Sequence, residues 1–360
     1  MAKNNTTRTF LIARFSAIGD VALTIPVLYS VCRRNPATKF VFLTRKNLES
    51  IFINTPENLT VEGVDLDSPA FKGIFGMRRL TSAMYRKYRF SGFIDLHDVI
   101  RTRLIALFCR TRRIKVFRID KGRREKRALT KKGKKNLYPI KPQVERYAET
   151  FLKADIPVGD LKNFKGVFGG RNLAPAEMFS RITTPKPNGK RWIAVAPFAA
   201  HTGKIYPPAL MKEVVDALAA EKNTRLFLLG GGDGEQKILE EWAEGHGNIT
   251  SLAGKRLGFA SEMALLNHCD AALTMDSANM HLASLAMTPT VSVWGATHPY
   301  LGFYGFGKGN LTVHLPMRCR PCSVFGNRQC RLSPSAKYPP CLSDLSPALI
   351  LSTLRQLLRD

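Results

Sequence analysis

A chain of 360 residues, 44% of them apolar, is long enough to bury two cores, and no stretch approaches the roughly 20 apolar residues of a membrane-spanning helix. The polar start, Met1 to Thr7, carries no secretory pattern, so the chain reads as cytoplasmic, with its seven cysteines mostly reduced. The 55 basic against 28 acidic residues give a formal charge of +27, beyond what solubility alone asks; it points to nucleic acid, an anionic membrane face or a phosphorylated substrate.

Short apolar runs alternate with helix-length segments through the first half. Strands are expected at Phe10–Phe15, Lys39–Thr44, Leu59–Val64, Phe93–Leu96 and Ile114–Arg118, with helices after Gly19, Lys46, Gly76 and Val99 and from about Gln143 to Ala154. Strand-then-helix alternation argues for a parallel sheet with helices on both faces. Between Ile156 and Lys190 the periodicity fails among Pro157, Gly159, Gly166, Gly169, Gly170, Pro185, Pro187 and Gly189, which reads as an interdomain connection. Alternation then resumes, with strands at Trp192–Ala196, Arg225–Leu229, Ile249–Leu252, Ala271–Met275 and Thr290–Trp294 and helices from Pro208, Asp233, Ala260 and Ser277. The expected domains are 1–170, carrying a basic loop at 110–135, and 171–345. A last apolar helix, within 346–360, is able to pack back on the first domain.

The charge is concentrated. Arg110 to Lys135 holds fourteen Lys or Arg and two acids, Asp120 and Glu125. A segment so basic repels itself and is expected to be a mobile loop until an anion binds it.

Two strand-to-helix turns carry the chemistry. The first strand breaks at Ser16-Ala17-Ile18-Gly19-Asp20, which places Asp20 about two residues into a helix, where the dipole favours its anion. Such a carboxylate serves as a general base or, as is commoner for an Asp at this place, as a plain helix cap. Gly19 leaves room for a substrate to approach the backbone. Pro26, inside the next helix, should kink it. The second turn, Asp276-Ser277-Ala278-Asn279-Met280-His281, starts a helix whose free amides suit a diphosphate. His281, one turn in, is either a functional group on an exposed or cleft-facing side or a satisfied helix histidine. Turns of this kind sit where open α/β sheets bind ligands, so one in each half suggests two α/β domains facing each other across a cleft.

Thr202-Gly203-Lys204 sits in a loop between a strand and a helix opened by Pro207-Pro208, and Lys204 there is a point charge for a phosphate. Gly230-Gly231-Gly232-Asp233-Gly234-Glu235 is another strand–turn–helix junction, without the Lys-Ser/Thr ending of a P-loop. His97-Asp98 follows a strand that ends on the same edge as Asp20 and either touches an acceptor or is structural. Cys319-x2-Cys322 with Cys330 and Cys341 raises a structural zinc option, against an irregular spacing and the loop formers Pro321 and Gly326.

Taken together and in order, these residues resemble the family 9 glycosyltransferases, the bacterial heptosyltransferases of the lipopolysaccharide inner core. The family's Ser-x-x-Gly-Asp then Thr-x-Pro matches Ser16, Gly19, Asp20, Thr24 and Pro26. Its Lys-x-Trp-Pro matches Lys204, Tyr206 (for Trp) and Pro207. Its Asp-Ser/Thr-Gly-x-x-His matches Asp276, Ser277 and His281, with Ala278 for Gly, and its Gly-x-Thr-x-Pro matches Gly295, Thr297 and Pro299.

The resemblance implies a GT-B fold of two Rossmann-like domains around a central cleft, and metal-independent transfer with inversion from an ADP-heptose donor to a lipid A–core acceptor. It implies Asp20 as general base. Donor binding would fall to Lys204, Thr202, Glu235, Asp276, Ser277, Ala278 and His281. Acceptor binding would fall to Ser16, Gly19, His97 and the basic residues Arg123, Arg124, Lys126 and Arg127. The added methyl of Ala278 would alter donor placement. No cofactor and no nucleic-acid partner are expected. The expected protein is a monomer, peripheral at the inner face of the cytoplasmic membrane. The alternatives are another GT-B enzyme using a UDP-sugar (an amino-sugar transferase or a 2-epimerase) and a basic nucleic-acid-binding protein, which no zinc-finger, basic-zipper or aromatic RNA-binding motif supports.

Overall fold

The structure is a computed structural model and describes residues 8–307 and 309–359. The N-terminal stretch read as free of a secretory signal lies outside the described residues. The chain divides into two compact units. One holds the residues up to Lys121 with Gln143–Phe164, the other Gly122–Pro142 with the residues from Lys165 on.

In the first unit, β1 (Thr9–Ala13), β2 (Lys39–Arg45), β3 (Leu59–Val64), β4 (Gly92–Asp95) and β5 (Lys115–Arg118) form an all-parallel sheet in the order β3-β2-β1-β4-β5. Leu11, Ile12, Ala13, Phe42, Leu43, Phe93 and Ile94 are fully buried, because helices cover both faces of such a sheet. Helices α1 (Ile18–Ala22), α2 (Ile25–Arg34), α3 (Gly73–Tyr88) and α4 (Ile100–Arg110) connect the strands. Pro26 does not kink a helix as expected. α1 ends, α2 restarts, and Pro26 sits in the first turn of α2, where no hydrogen bond is lost. The helix expected after Lys46 is a 3-10 turn, Lys46–Ile51, whose Glu49 carboxylate accepts from the Gly63 amide of β3 at 2.6 Å.

The expected mobile loop is instead partly helical. Arg123–Thr130 forms α5, which buries Leu129 with Ile140 and Leu301 and sets the Lys126 ammonium 4.1 Å from the centre of the Phe303 ring. These contacts hold Gly122–Pro142 in the second unit, so the basic segment is split rather than carried whole by the first domain. α6 (Gln143–Leu152) returns the chain to the first unit.

The second unit has its own parallel sheet, β11-β10-β9-β6-β7-β8, from β6 (Arg191–Ala196), β7 (Thr224–Leu228), β8 (Ile249–Ser251), β9 (Ala271–Met275), β10 (Thr290–Val293) and β11 (Asn310–Val313). Its main helices are α7 (Pro208–Ala219), α8 (Asp233–Ala243), α9 (Phe259–His268) and α10 (Ala278–Leu285). The chain following Phe164 is a packed wall rather than a free linker. Buried Asn267 accepts from the Leu173 and Ala174 amides and donates to the Gly170 and Ala286 carbonyls, which satisfies its whole amide. After a one-turn helix, α11 (Pro340–Ser343), the terminal α12 (Pro347–Leu357) buries Ile350 and Leu354 in the second core. It lies against α7 and β10, where its apolar stripe completes the cover of this sheet.

Candidate active site

Both sheets reverse their strand order beside a central strand: between β1 and β4 in the first, and between β6 and β9 in the second. At such a point the connections leave in opposite directions and open a crevice at the carboxyl ends of the strands. Asp20 follows β1 and His97 follows β4. Lys204 follows β6 and Asp276 follows β9. The candidate residues thus gather at one switch point in each unit.

In the first unit, Asp20 is the third residue of α1, where unpaired amides favour its charge. Arg14, at the end of β1, meets the Asp20 carboxylate at 2.7 Å and donates to the Leu96 carbonyl at 2.6 Å. Burial works against the Arg14 cation, but Asp20, Tyr147 and Asp95 together hold its pKa above the ordinary value. The Tyr147 hydroxyl donates to the Asp20 carbonyl, and the Tyr147 ring lies beside the Arg14 guanidinium.

His97 Nδ1 accepts from the Phe15 amide, so the ring proton is on Nε2, which lies 3.4 Å from Ser16 Oγ. Burial, with Arg14 and Lys121 adding to it, pushes the His97 pKa down to about 3. A neutral His97 therefore donates to Ser16, and the Ser16 hydroxyl keeps its own proton to give. Asp95, fully buried at the end of β4, accepts from the His97 and Asp98 amides and pairs with Arg118. His97 thus braces the Ser16–Asp20 turn, with Gly19 buried inside it.

In the second unit, Asp276 is buried and its Oδ2 receives both the Lys204 ammonium at 2.9 Å and the Thr297 hydroxyl at 2.7 Å. Ser277 is the N-cap of α10, yet its hydroxyl caps no amide. It is buried without a hydrogen-bond partner among the described residues. A buried hydroxyl left over at a helix start has a bond to give or accept that a water or a ligand can complete. Ala278 opens α10, and His281 is buried rather than exposed.

Thr202 and Lys204 lie on one 3-10 turn whose middle residue, Gly203, fits tightly against Ala296 and Gly326. Gly295 must lack a side chain, because a Cβ there would stand 2.5 Å from the Gly203 carbonyl oxygen. Glu235 accepts from the Gly231 amide at 2.8 Å and closes the glycine turn before α8. Partial burial raises its pKa, against the pull of that amide.

The basic residues divide. Arg123, Arg124 and Arg127 are exposed on α5, whereas Lys126 is covered by Phe303. Cys319, Cys322, Cys330 and Cys341 line one cavity of about 390 Å³, but all are free thiols. Among the described residues no three His, Cys, Asp or Glu side chains are placed to hold a metal ion.

Arg14, Asp95 and Thr297 were not among the candidate residues. A lone charge at the end of an apolar strand was the available signal for Arg14 and Asp95, and the Gly-x-Thr-x-Pro motif was the signal for Thr297.

A family model, Glycosyltransferase family 9 (heptosyltransferase), matches residues 77–330, well over half of the chain. The chain belongs to glycosyltransferase family 9. Among similar curated proteins, lipopolysaccharide heptosyltransferase 3 of Escherichia coli is 24% identical over 282 residues, 78% of this chain and 81% of its own length. The structure of E. coli heptosyltransferase WaaC with ADP superposes with a TM-score of 0.65 at 18% identity, covering 97% of this chain and 99% of that one. That of E. coli ADP-heptose lps heptosyltransferase II gives 0.69 at 17% identity, covering 98% and 99%. The two parallel α/β domains of this family 9 glycosyltransferase are those of the GT-B architecture.

Proposed function

We propose that this family 9 enzyme transfers heptose from an ADP-activated donor to a lipopolysaccharide inner-core acceptor, with inversion at the anomeric carbon and without a catalytic metal. The observation that carries this reading is the group formed by Lys204, Thr297, Asp276 and the unpartnered Ser277 hydroxyl at the start of α10. A lysine and helix-start amides match a diphosphate in charge and hydrogen bonding, and can stabilise it as it leaves. The names of the similar proteins supply the sugar and the acceptor class, and the ADP bound to WaaC supplies the nucleotide.

In this mechanism the Asp20 carboxylate takes the proton of the acceptor hydroxyl. The acceptor oxygen bonds to the anomeric carbon from the face opposite the diphosphate, whose bond to that carbon breaks, and ADP leaves as an anion. Arg14 keeps Asp20 ionised for this task. Thr202, Ala278 and His281 complete the donor side, and Glu235 lies on the nucleoside side. Ser16, Gly19 and His97 shape the acceptor side, and the exposed arginines of α5 attract the acceptor's phosphates. The enzyme works as a monomer in the cytoplasm at the inner face of the membrane, where its acceptor is made.

The test is Asp20→Asn. It should lower transfer by about 100- to 10,000-fold, the range of general base catalysis, while calorimetry finds ADP affinity unchanged. An equal loss of ADP binding would make Asp20 structural. A preference for UDP over ADP in the same titration would move the assignment to a UDP-sugar enzyme.

A further inference from the structure

We propose that the N-terminal turns of α3 and α4 form a docking face for an anionic lipid bilayer. Large apolar side chains stand in solvent there: Phe75 is 77% exposed, Ile74 49% and Ile100 78%. They do not belong to the core stripes of their helices. α3 already buries Met77, Leu80 and Met84, and α4 buries Ile105, Ala106 and Cys109. Both helices follow parallel strands and run back along the sheet, so both N-termini lie at its carboxyl edge. An ion pair of 3.7 Å between Arg101 of α4 and Asp67 of the loop before α3 ties the two turns together.

The charges complement an anionic surface. At these turns Lys72, Arg78 and Arg79 are exposed, α4 adds Arg101 and Arg103, and neither helix contains an acid. Of the nearby acids, Asp67 is matched by Arg45 and Arg101 and Asp98 by Arg103 and Arg118, and the Asp65 carboxylate accepts from the Asp67 amide. Exposed aromatic and aliphatic side chains beside Lys72, Arg78 and Arg79 are the composition that seats a protein in the headgroup region of an anionic bilayer. Asp20 lies on this same edge, after β1, so docking would bring the proposed base to the lipid surface.

This inference deepens the proposed reading of a membrane-borne acceptor and rests on it only for which membrane is met. The full-length chain is therefore tested with vesicles alone, of phosphatidylcholine with and without phosphatidylglycerol. Flotation should show binding to the anionic vesicles only. Phe75→Ser combined with Ile100→Ser should weaken it by about tenfold or more, with an unchanged melting temperature. Leu349→Ser, an equally plain loss of an exposed apolar side chain on α12, should bind as the parent does. Absence of binding to anionic vesicles, or equal binding by the double variant, overturns the proposal. Transfer to a detergent-dispersed acceptor should survive the double variant. If the parent chain lacks that transfer but still docks, the functional reading fails and the docking face stands.

Discussion

The buried Arg14 guanidinium meets the Asp20 carboxylate at 2.7 Å, so the proposed base works as one half of an ion pair. An adjacent cation favours the charged carboxylate and weakens it as a base. Arg14→Met should therefore shift the acid limb of the pH–rate profile to higher pH, because less acid is then needed to protonate Asp20. The Leu96 carbonyl also loses its partner, at a cost of about 1–3 kcal/mol. A lowered melting temperature with an unmoved acid limb would show that Arg14 holds the fold and does not tune the base.

On the donor side, Lys204 and Thr297 share one oxygen of buried Asp276. Lys204→Met removes a charge-assisted partner of the diphosphate and should weaken ADP binding by about 10- to 100-fold. Thr297→Val keeps the shape, loses one hydrogen bond to a carboxylate and should destabilise by about 1.5–3 kcal/mol. Calorimetry with ADP and urea denaturation read the two effects separately. Unchanged ADP affinity in Lys204→Met would remove Lys204 from the donor site.

A loop remote in sequence holds the Lys204 turn in place. The Gly203 amide donates to the Gly326 carbonyl, and buried Ser323 accepts from the Gly326 amide at 2.9 Å. Gly326 has φ +75°, and a Cβ there would stand 2.6 Å from Lys204 Cγ. Gly326→Ala should weaken ADP binding as well as stability. Gly189→Ala is the control: its φ is +73° and nothing lies within 4 Å of the new methyl. It should carry the backbone strain, about 1–3 kcal/mol, and leave ADP affinity intact. Equal ADP affinities in the two variants would end the positioning argument.

The contrast between Asp20 or Asp276 and these supporting residues explains what the sequence revealed. A strand-to-helix turn is a local pattern, so Asp20, Lys204 and Asp276 were visible from spacing alone. Arg14, Thr297 and Gly326 matter through partners that only the tertiary fold brings to them. Strand β11 escaped notice because its four residues follow the glycines 305, 307 and 309 and form a sheet edge. Helix α5 was hidden by its own charge. Only Leu129, Thr130 and the stem of Lys126 mark its buried side, and a basic run looks like solvated chain until Phe303 and Leu301 are present to cover it.

His97 sets a pH dependence of stability. Burial holds its native pKa down to about 3, against about 6.5 for a free histidine, so below about pH 6.5 the unfolded chain takes up a proton that the native chain refuses. Stability attributable to this site is thus full above that pH and falls as the pH drops toward about 3, by up to about 1.4 kcal/mol per unit. In His97→Gln the side-chain oxygen can still accept from the Phe15 amide, and no ring titrates. Urea denaturation at about pH 7 and about pH 5 should show a smaller acid loss in the variant than in the parent. Identical losses would place the acid sensitivity elsewhere.

The last expectation concerns α5. Arg123, Arg124 and Arg127 are exposed, while Lys126 lies over Phe303, so the charge proposed to bind the acceptor is that of three residues rather than four. Attraction between exposed charges is screened over about 8 Å at physiological ionic strength. The Michaelis constant for a phosphorylated acceptor should therefore rise steeply with salt, and that for the donor, whose lysine lies in a partly buried site, should rise much less. Replacing the three arginines by alanine should reproduce the high-salt constant and remove most of its salt dependence. Lys126→Met removes a charge already set against the Phe303 ring and should leave the salt dependence as it was. Dephosphorylating the acceptor should act as the triple variant does. An acceptor constant indifferent to salt, to the three arginines and to the acceptor's phosphates would mean that α5 does not clamp the acceptor.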